Sequence, residues 1–292
     1  MNKKSIKNLW VHIPLIILML CCVLPFLLVL AISFSDEAMI SNYGYSLIPQ
    51  KFSLEAYKYV FEYPQQILRS YGVTITVTTI GTVLGVLLTA GLAYPIARPD
   101  YKLKRPLSLY IFITMVFNGG LVPTYILISQ YLHLKDTLAV LILPLMVSAW
   151  NVFLLKTFFM TIPISLIESA KLDGASEFKI LFQIVLPLAK VGIAVVTLFI
   201  MLTYWNDWFL SLIYIDNDKI VSLQYLLYRI MESVTFFTQS SGAAKTMMGS
   251  MTLPDETVRM AICVIAAGPM VLVFPFFQKY FVKGITIGSV KG

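Results

Sequence analysis

From Ile13 to Ser35 the chain runs without one charged side chain, and the same holds for residues 72–97 and 107–130. Segments 137–156, 190–214 and 260–279 carry charge only at Lys156, Lys190, Lys279 and one interior position, Asp207. About 20 helical residues cross a hydrocarbon core, so each of the six is long enough to span it. A soluble helix keeps a polar face, and these runs have none. With 58% hydrophobic and 13% charged residues over 292 positions, the chain predicts an all-α integral membrane protein with six transmembrane helices. It reads as a single membrane domain, 1–292, with no soluble module large enough to fold alone. Although Lys3, Lys4 and Lys7 precede the first run as in a signal peptide, its apolar core is too long and no small-x-small site follows. A retained anchor is expected.

Basic residues set the orientation. With the N-terminus inside, segments 1–12, 98–105, 156–190 and 279–292 hold 14 Lys/Arg against 4 acidic residues. The opposite segments hold 8 against 10. The formal charge of +7 is therefore a mark of topology, with both termini cytoplasmic, and not of nucleic-acid binding. Two loops, 36–70 and 216–259, then face outward. The first is rich in aromatics (Tyr43, Tyr45, Tyr57, Tyr59, Phe61, Tyr63) and is expected to be ordered. The second has a polar, flexible-looking centre at Phe236–Gly242.

Reactive groups are scarce. His12 and His133 fall on opposite sides, and Cys21, Cys22 and Cys263 all lie in apolar runs with no metal or disulfide spacing. No metal-binding His pair, nucleophile elbow or Gly-x4-Gly-Lys-Ser/Thr phosphate loop occurs. The chain does not read as an enzyme; it has no catalytic or metal-ligating set. If ATP drives it, another chain must bind the nucleotide.

Within the apolar runs, Gly81-x-x-x-Gly85 allows two backbones to approach closely. Gly119, Gly120, Pro123, Pro144, Gly268, Pro269 and Pro275 interrupt the third, fourth and sixth runs, which predicts kinked helices around a cavity. A carboxylate such as Asp207 inside a run is costly and faces a bundle interior or a water-filled space. Its neighbours Tyr204, Trp205, Asn206 and Trp208 combine stacking rings with hydrogen-bonding groups. Three roles stay open for it: structural or gating partner, pathway lining, and proton transfer. Trp150, Asn151 and Asn118 are similar pathway or gate candidates, with helix–helix hydrogen bonding as the competing role.

One polar island remains, Glu168-Ser169-Ala170-Lys171-Leu172-Asp173-Gly174-Ala175, with Ile184-Val185-Leu186-Pro187 beyond it. Segment 164–178 is expected to form a short helix after Pro163, with Ile167, Ala170, Ala175 and Phe178 as a rough apolar stripe. Glu168, Asp173 and Glu177 are placed to meet basic residues of a partner or to favour a helix N-terminus.

These residues resemble the EAA loop of ATP-binding-cassette importer permeases, in which Glu-Ala-Ala-x3-Gly precedes Ile-x-Leu-Pro. Ser169 stands in place of the middle alanine. Phe117–Tyr125, Trp205–Phe209 and the tail Phe281–Gly284 with Val290–Gly292 are similar to segments of the maltose-type carbohydrate permeases in that family. The resemblance extends to a branch importing larger oligosaccharides, including plant-polysaccharide or uronate-containing fragments. It implies the type I importer permease fold in a bacterial cell membrane, embedded in lipid. It also implies a second homologous permease, ATPase subunits that carry ATP and Mg, and an extracellular solute-binding protein. Within 163–188, it implies ATPase coupling by Glu168, Ser169, Ala170, Asp173, Gly174 and Pro187. The resemblance to maltose-type pairs implies a sugar held chiefly by the other permease, with the Asp207 region as a gate. A competing class is an ion-coupled secondary transporter with Asp207 as its coupling carboxylate; the polar island would then have no purpose.

Overall fold

The computed structural model describes residues 3–62, 64–239 and 255–288. Tyr63, residues 240–254 of the second loop (including 240–242 of its polar centre) and the tail at 289–292 lie outside the described residues. Every regular element among the described residues is helical, apart from one isolated bridge between Ser35 and Phe52. Three helices are long and apolar enough to cross a membrane: His12–Ser33, Pro64–Ala97 and Glu256–Tyr280. Three further bent pairs bring the count to six if each pair is one span. The six apolar runs are thus all helical, but only half are continuous.

The chain divides into two compact units. The first comprises Met1–Ile67 and Leu226–Pro269. Here α1 (Lys3–Ser33) ends in an aromatic clasp, with Phe34 stacked on Phe52 and Tyr57 at 5.5 and 4.9 Å. The expected outer loop is ordered, and carries α2 (Glu37–Tyr43) and α3 (Glu55–Val60). Asp36 caps α2 and pairs with Lys51 at 2.6 Å. Glu37 accepts from the backbone N–H of Glu256 and Thr257 at 3.1 and 3.0 Å, and so satisfies the first turn of the last helix.

The second unit comprises Leu68–Tyr225 and Met270–Gly292. Most of α4 (Pro64–Ala97) belongs to it; this helix starts eight residues before the expected 72. After α5 (Lys104–Val116) the third run breaks at Phe117–Gly120 and turns by 109° into Leu121–Tyr131, which holds α6 (Leu121–Ile126). Gly120 makes that turn possible with φ +87°, and Asn118 closes it by accepting from the Gly120 N–H at 2.9 Å. The fourth run bends by 51° between α7 (Leu138–Ile142) with its 3-10 extension to Leu145 and α8 (Ala149–Phe159). Ahead of the fifth run, α9 (Ile164–Leu172) leads to α10 (Glu177–Ile180) and α11 (Leu186–Leu188), and an 88° bend follows at Ala189. From there α12 (Lys190–Trp205) runs to Asn206. α13 (Phe209–Tyr214) follows; of the remaining helices, α14 (Leu223–Gln239) belongs to the first unit from Leu226 on, and α15 (Glu256–Gly288) passes from the first unit to the second after Pro269.

Close packing of α4 on α12 depends on absent side chains. A Cβ on Gly81 would lie 2.4 Å from the Tyr204 ring, and one on Gly85 would meet the Met146 carbonyl at 2.8 Å. The small-residue pair expected from the sequence therefore works as a contact face. Tyr204 cannot easily yield, because it is buried and its hydroxyl donates to the Ile142 carbonyl at 2.7 Å. That carbonyl stands at the end of α7, where the helix stops short of the Pro144 turn. Overpacking costs about 1–3 kcal/mol. Gly81→Ala should accordingly lower the thermal unfolding midpoint in detergent. Gly91→Ala, on the same helix with open space around it, should leave the midpoint unchanged or raise it slightly.

Candidate functional site: the 164–188 hairpin and the cavity at the helix breaks

The polar island forms a hairpin of two helices, where one helix over 164–178 was expected. Asp173 ends α9, and Ser176 begins α10 by accepting from the Lys179 N–H at 3.3 Å. Between them Gly174 adopts φ +76°. The Ala175 N–H reaches the Ala170 carbonyl at 2.9 Å and the Gly174 N–H reaches Lys171 at 3.0 Å. This pair of bonds is a Schellman stop, with glycine in the left-handed position it demands. Pro163 stands immediately before the helix instead of in its first turn.

Glu168, Ser169, Asp173, Gly174 and Pro187 are exposed and Ala170 is half-buried. The apolar stripe is not one face: Ile167 is buried, whereas Phe178 is 77% exposed and Leu172 is 90% exposed. Two large apolar side chains stand out from the tip of the hairpin, beside a glycine whose Cβ position is empty. At the foot, a π-turn over Leu181–Val185 precedes Pro187, whose missing N–H interrupts the regular ladder.

Behind the tip lies an ionic cluster that sequence reasoning missed. Arg98, just past the end of α4, has a side chain only 7% exposed. Its Nε donates to Asp100 Oδ1 at 2.7 Å and its Nη2 pairs with Asp100 Oδ2. Nη1 donates to the Tyr94 hydroxyl at 2.6 Å and to Glu177 Oε2 at 3.0 Å, while Tyr94 itself donates to Glu177 at 2.6 Å. Lys171 bridges Glu177 Oε1 at 2.9 Å and Asp100 Oδ2 at 3.1 Å. Glu177, expected to meet a partner's basic residues or to favour a helix N-terminus, stands in the first turn of α10 and is paired within the chain. Arg98, with Lys171 beside it, holds the Asp100 carboxyl well below the usual carboxylate range. Glu177 and then Asp100 raise Lys171. The only advance signal was the concentration of charge in 98–105 beside the island. A cavity of about 990 Å³ opens along this cluster, walled by Tyr94, Arg98, Tyr101, Lys171 and Phe178.

A separate cavity of about 930 Å³ sits where the runs break, between Thr114–Met115, Pro144–Asn151 and Phe199–Asn206. It gathers Trp150, Asn151 and Asn206 of the pathway candidates, together with Thr114, Ser148, Phe199 and Thr203. No charged side chain is among its lining residues. Asn118, Tyr204 and Asp207 are not among them either. Asn118 closes its own turn and Tyr204 holds the end of α7. Asp207 lies past the end of α12, where Oδ2 accepts from the Leu210 N–H at 3.3 Å and its carbonyl from Ser222 Oγ at 3.2 Å. The first of these bonds satisfies a backbone N–H in the first turn of the helix Phe209–Tyr214, one residue ahead of its N-cap Trp208.

A family model described as "Binding-protein-dependent transport system inner membrane component" matches residues 8–287. The chain belongs to that family. As one of its multi-pass membrane permeases, it is 38% identical over 290 residues to the polygalacturonan/rhamnogalacturonan transport system permease protein YtcP of Bacillus subtilis strain 168. That match covers 99% of this chain and all of the relative. Protein LplC of the same organism is 39% identical over 270 residues, covering 92% and 90% of the two chains. Among solved structures, a bacterial ABC transporter involved in the import of the acidic polysaccharide alginate superposes with a TM-score of 0.77 at 27% identity. It covers 96% of this permease and 98% of that chain. The importer-permease fold implied by the island's residues is therefore the fold of this chain.

A Cβ at φ +76° costs about 1–2 kcal/mol. Gly174→Ala should accelerate hydrogen exchange of the Ala175 amide, and Gly174→Asn should do so less. Equal exchange in all three proteins would contradict the Schellman assignment.

Proposed function

We propose that this permease passes carbohydrate oligomers across a bacterial cell membrane, powered by ATPase subunits that seat on the 164–188 hairpin. The observation that carries the proposal is the hairpin tip: Leu172 and Phe178 exposed beside a left-handed Gly174. In water such side chains lose about 25 cal/mol per Å² that burial would return. A soluble partner cleft returns it, and the open side of Gly174 lets backbone approach backbone. Glu168, Ser169 and Asp173 form the polar rim of that contact beside the small Ala170, and Pro187 fixes the foot on which it turns.

The distribution of basic residues supports a cytoplasmic hairpin and cytoplasmic termini. ATP and Mg belong to the partner chains in this reading. An external binding protein delivers substrate to segments 36–70 and 216–259, and a second homologous permease completes the pathway. Carbohydrate is supported by the names of the relatives and by the chemistry of the 930 Å³ cavity, where Trp150 and Phe199 offer ring faces and Ser148, Asn151, Thr203 and Asn206 offer hydrogen bonds. That volume falls within the range of about 300–1,000 Å³ typical of small-ligand sites. Because the lining lacks charge, this subunit reads hydroxyls, and any substrate carboxylates are met by the other permease or the binding protein. Alternating access then consists of ATPase closure moving the hairpin, and the hairpin moving the broken helices around the cavity.

Affinity purification from native membranes in mild detergent tests the reading directly. The expected result is co-purification of an ATPase and a second permease, with Gly174→Asp reaching the membrane normally but losing the ATPase. Recovery of a lone protein, or an ATPase retained by Gly174→Asp at the wild-type level, would overturn it.

A further inference from the structure

The covalent joint between the hairpin and α12 is an 88° bend at the single residue Ala189, which is buried and bonded to Val185 on one side and Ile193 on the other. A body joined at one point alone passes on its motion only through that point. The structure supplies a second attachment. Arg98 ties the hairpin's Glu177 to the end of α4, and Lys171 ties the other arm to Asp100. Both arms are therefore pinned to the same short stretch, 94–100, by bonds that cross 71–83 residues of sequence.

We propose that Arg98 is a positioning residue for energy coupling, making α4 a second transmission arm between the hairpin and the transport cavity. The inference rests on the coupling role proposed above. Its geometry can be followed along α4. Arg98 is almost fully buried and is held by charged hydrogen bonds to two carboxylates, so its position follows theirs. Tyr94, one turn back, is buried and shares Glu177 with it. Ala93 and Ile96 are fully buried, so the end of α4 is packed and moves as a body. Further along, Gly81 and Gly85 rest directly on Tyr204 and Ile200 of α12, with no flexible side chain between to take up a shift. Ile200 lines the cavity together with Phe199, Leu202 and Thr203. A displacement at Glu177 thus reaches the cavity wall by two paths, one through Ala189 and one through Arg98. The exposed residues of the hairpin seat the ATPase in this scheme, and Arg98 decides whether that seating moves α4.

Labelling a cavity cysteine tests this without knowledge of the substrate. In the assembled complex, with Cys21, Cys22 and Cys263 replaced, Thr203→Cys reports cavity access through its reaction rate with N-ethylmaleimide. With Arg98 intact, trapping with Mg-ATP and orthovanadate should change that rate at least fivefold. In Arg98→Met the ATPase should co-purify undiminished while the nucleotide-dependent change falls below twofold; Arg98→Lys should restore part of it. A merely structural role would lower the amount of complex without altering the response of what assembles. If Arg98→Met fails to accumulate, the pair Lys171→Met with Glu177→Gln, which leaves Arg98 and Asp100 together, should show the same loss. A full nucleotide response in these variants would overturn the inference while leaving the hairpin's docking role intact. An ATPase bound to the protein with Arg98 intact, but without any nucleotide response, would overturn both the inference and the coupling role on which it rests.

Discussion

A backbone that leaves helical geometry inside a membrane exposes N–H and C=O groups to a medium that cannot hydrogen-bond them. This chain breaks three of its apolar runs, and much of its architecture satisfies those breaks. Asn118 takes the Gly120 N–H, the Tyr204 hydroxyl takes the Ile142 carbonyl, and Asp207 takes the Leu210 N–H. Each repair uses a polar side chain that might otherwise have been read as a substrate ligand. Trp150, Asn151 and Ser148 line the cavity beside Asn206 and Thr203, whose side chains also donate to the Leu202 and Phe199 carbonyls of α12. Broken backbone and polar cavity are two consequences of one constraint.

The charges follow a different rule. Burying a guanidinium without partners would cost several kcal/mol, and Arg98 meets that cost with two carboxylates and a phenol. The Asp100 carboxyl has its pKa lowered on folding. It therefore stabilises the folded hairpin at every pH above its unfolded value near ~3.9, and loses that contribution only as the pH falls through the lower folded value. The cluster is consequently a fixed joint at neutral pH and not a proton-operated one. Its partners lie far apart in sequence, Arg98 and Glu177 being separated by 79 positions.

That separation explains where sequence reasoning stopped. Uncharged runs revealed the spans, because lipid excludes charge residue by residue and the signal is local. Gly81 and Gly85 revealed a contact face for a similarly local reason, although only the structure shows Tyr204 and Ile200 on the other side. The island stood out as a polar segment between apolar runs, yet the helix expected over 164–178 splits at Gly174 because a left-handed residue ends an α-helix. The start of α4 was hidden by Gln65, Gln66 and Arg69, polar residues on a helix that extends past the apolar run. Phe117–Gly120 was legible as an interruption but not as a turn of 109°. Asp207 attracted attention as an intramembrane carboxylate; at a helix break, satisfying the Leu210 N–H is a sufficient reason for it. Pairings such as Arg98 with Glu177 leave no trace in periodicity, because tertiary approach alone creates them.

The central claim is that the hairpin, not an ion gradient, delivers the driving force. Uptake into sealed vesicles of a labelled carbohydrate oligomer that the assembled system carries, energised by ATP with the proton and sodium gradients collapsed by ionophores, tests it most directly. The account predicts uptake that persists without the gradients and stops when ATP is withheld. Uptake that follows the gradient and ignores ATP would contradict it, and would return Asp207 to the centre of the mechanism.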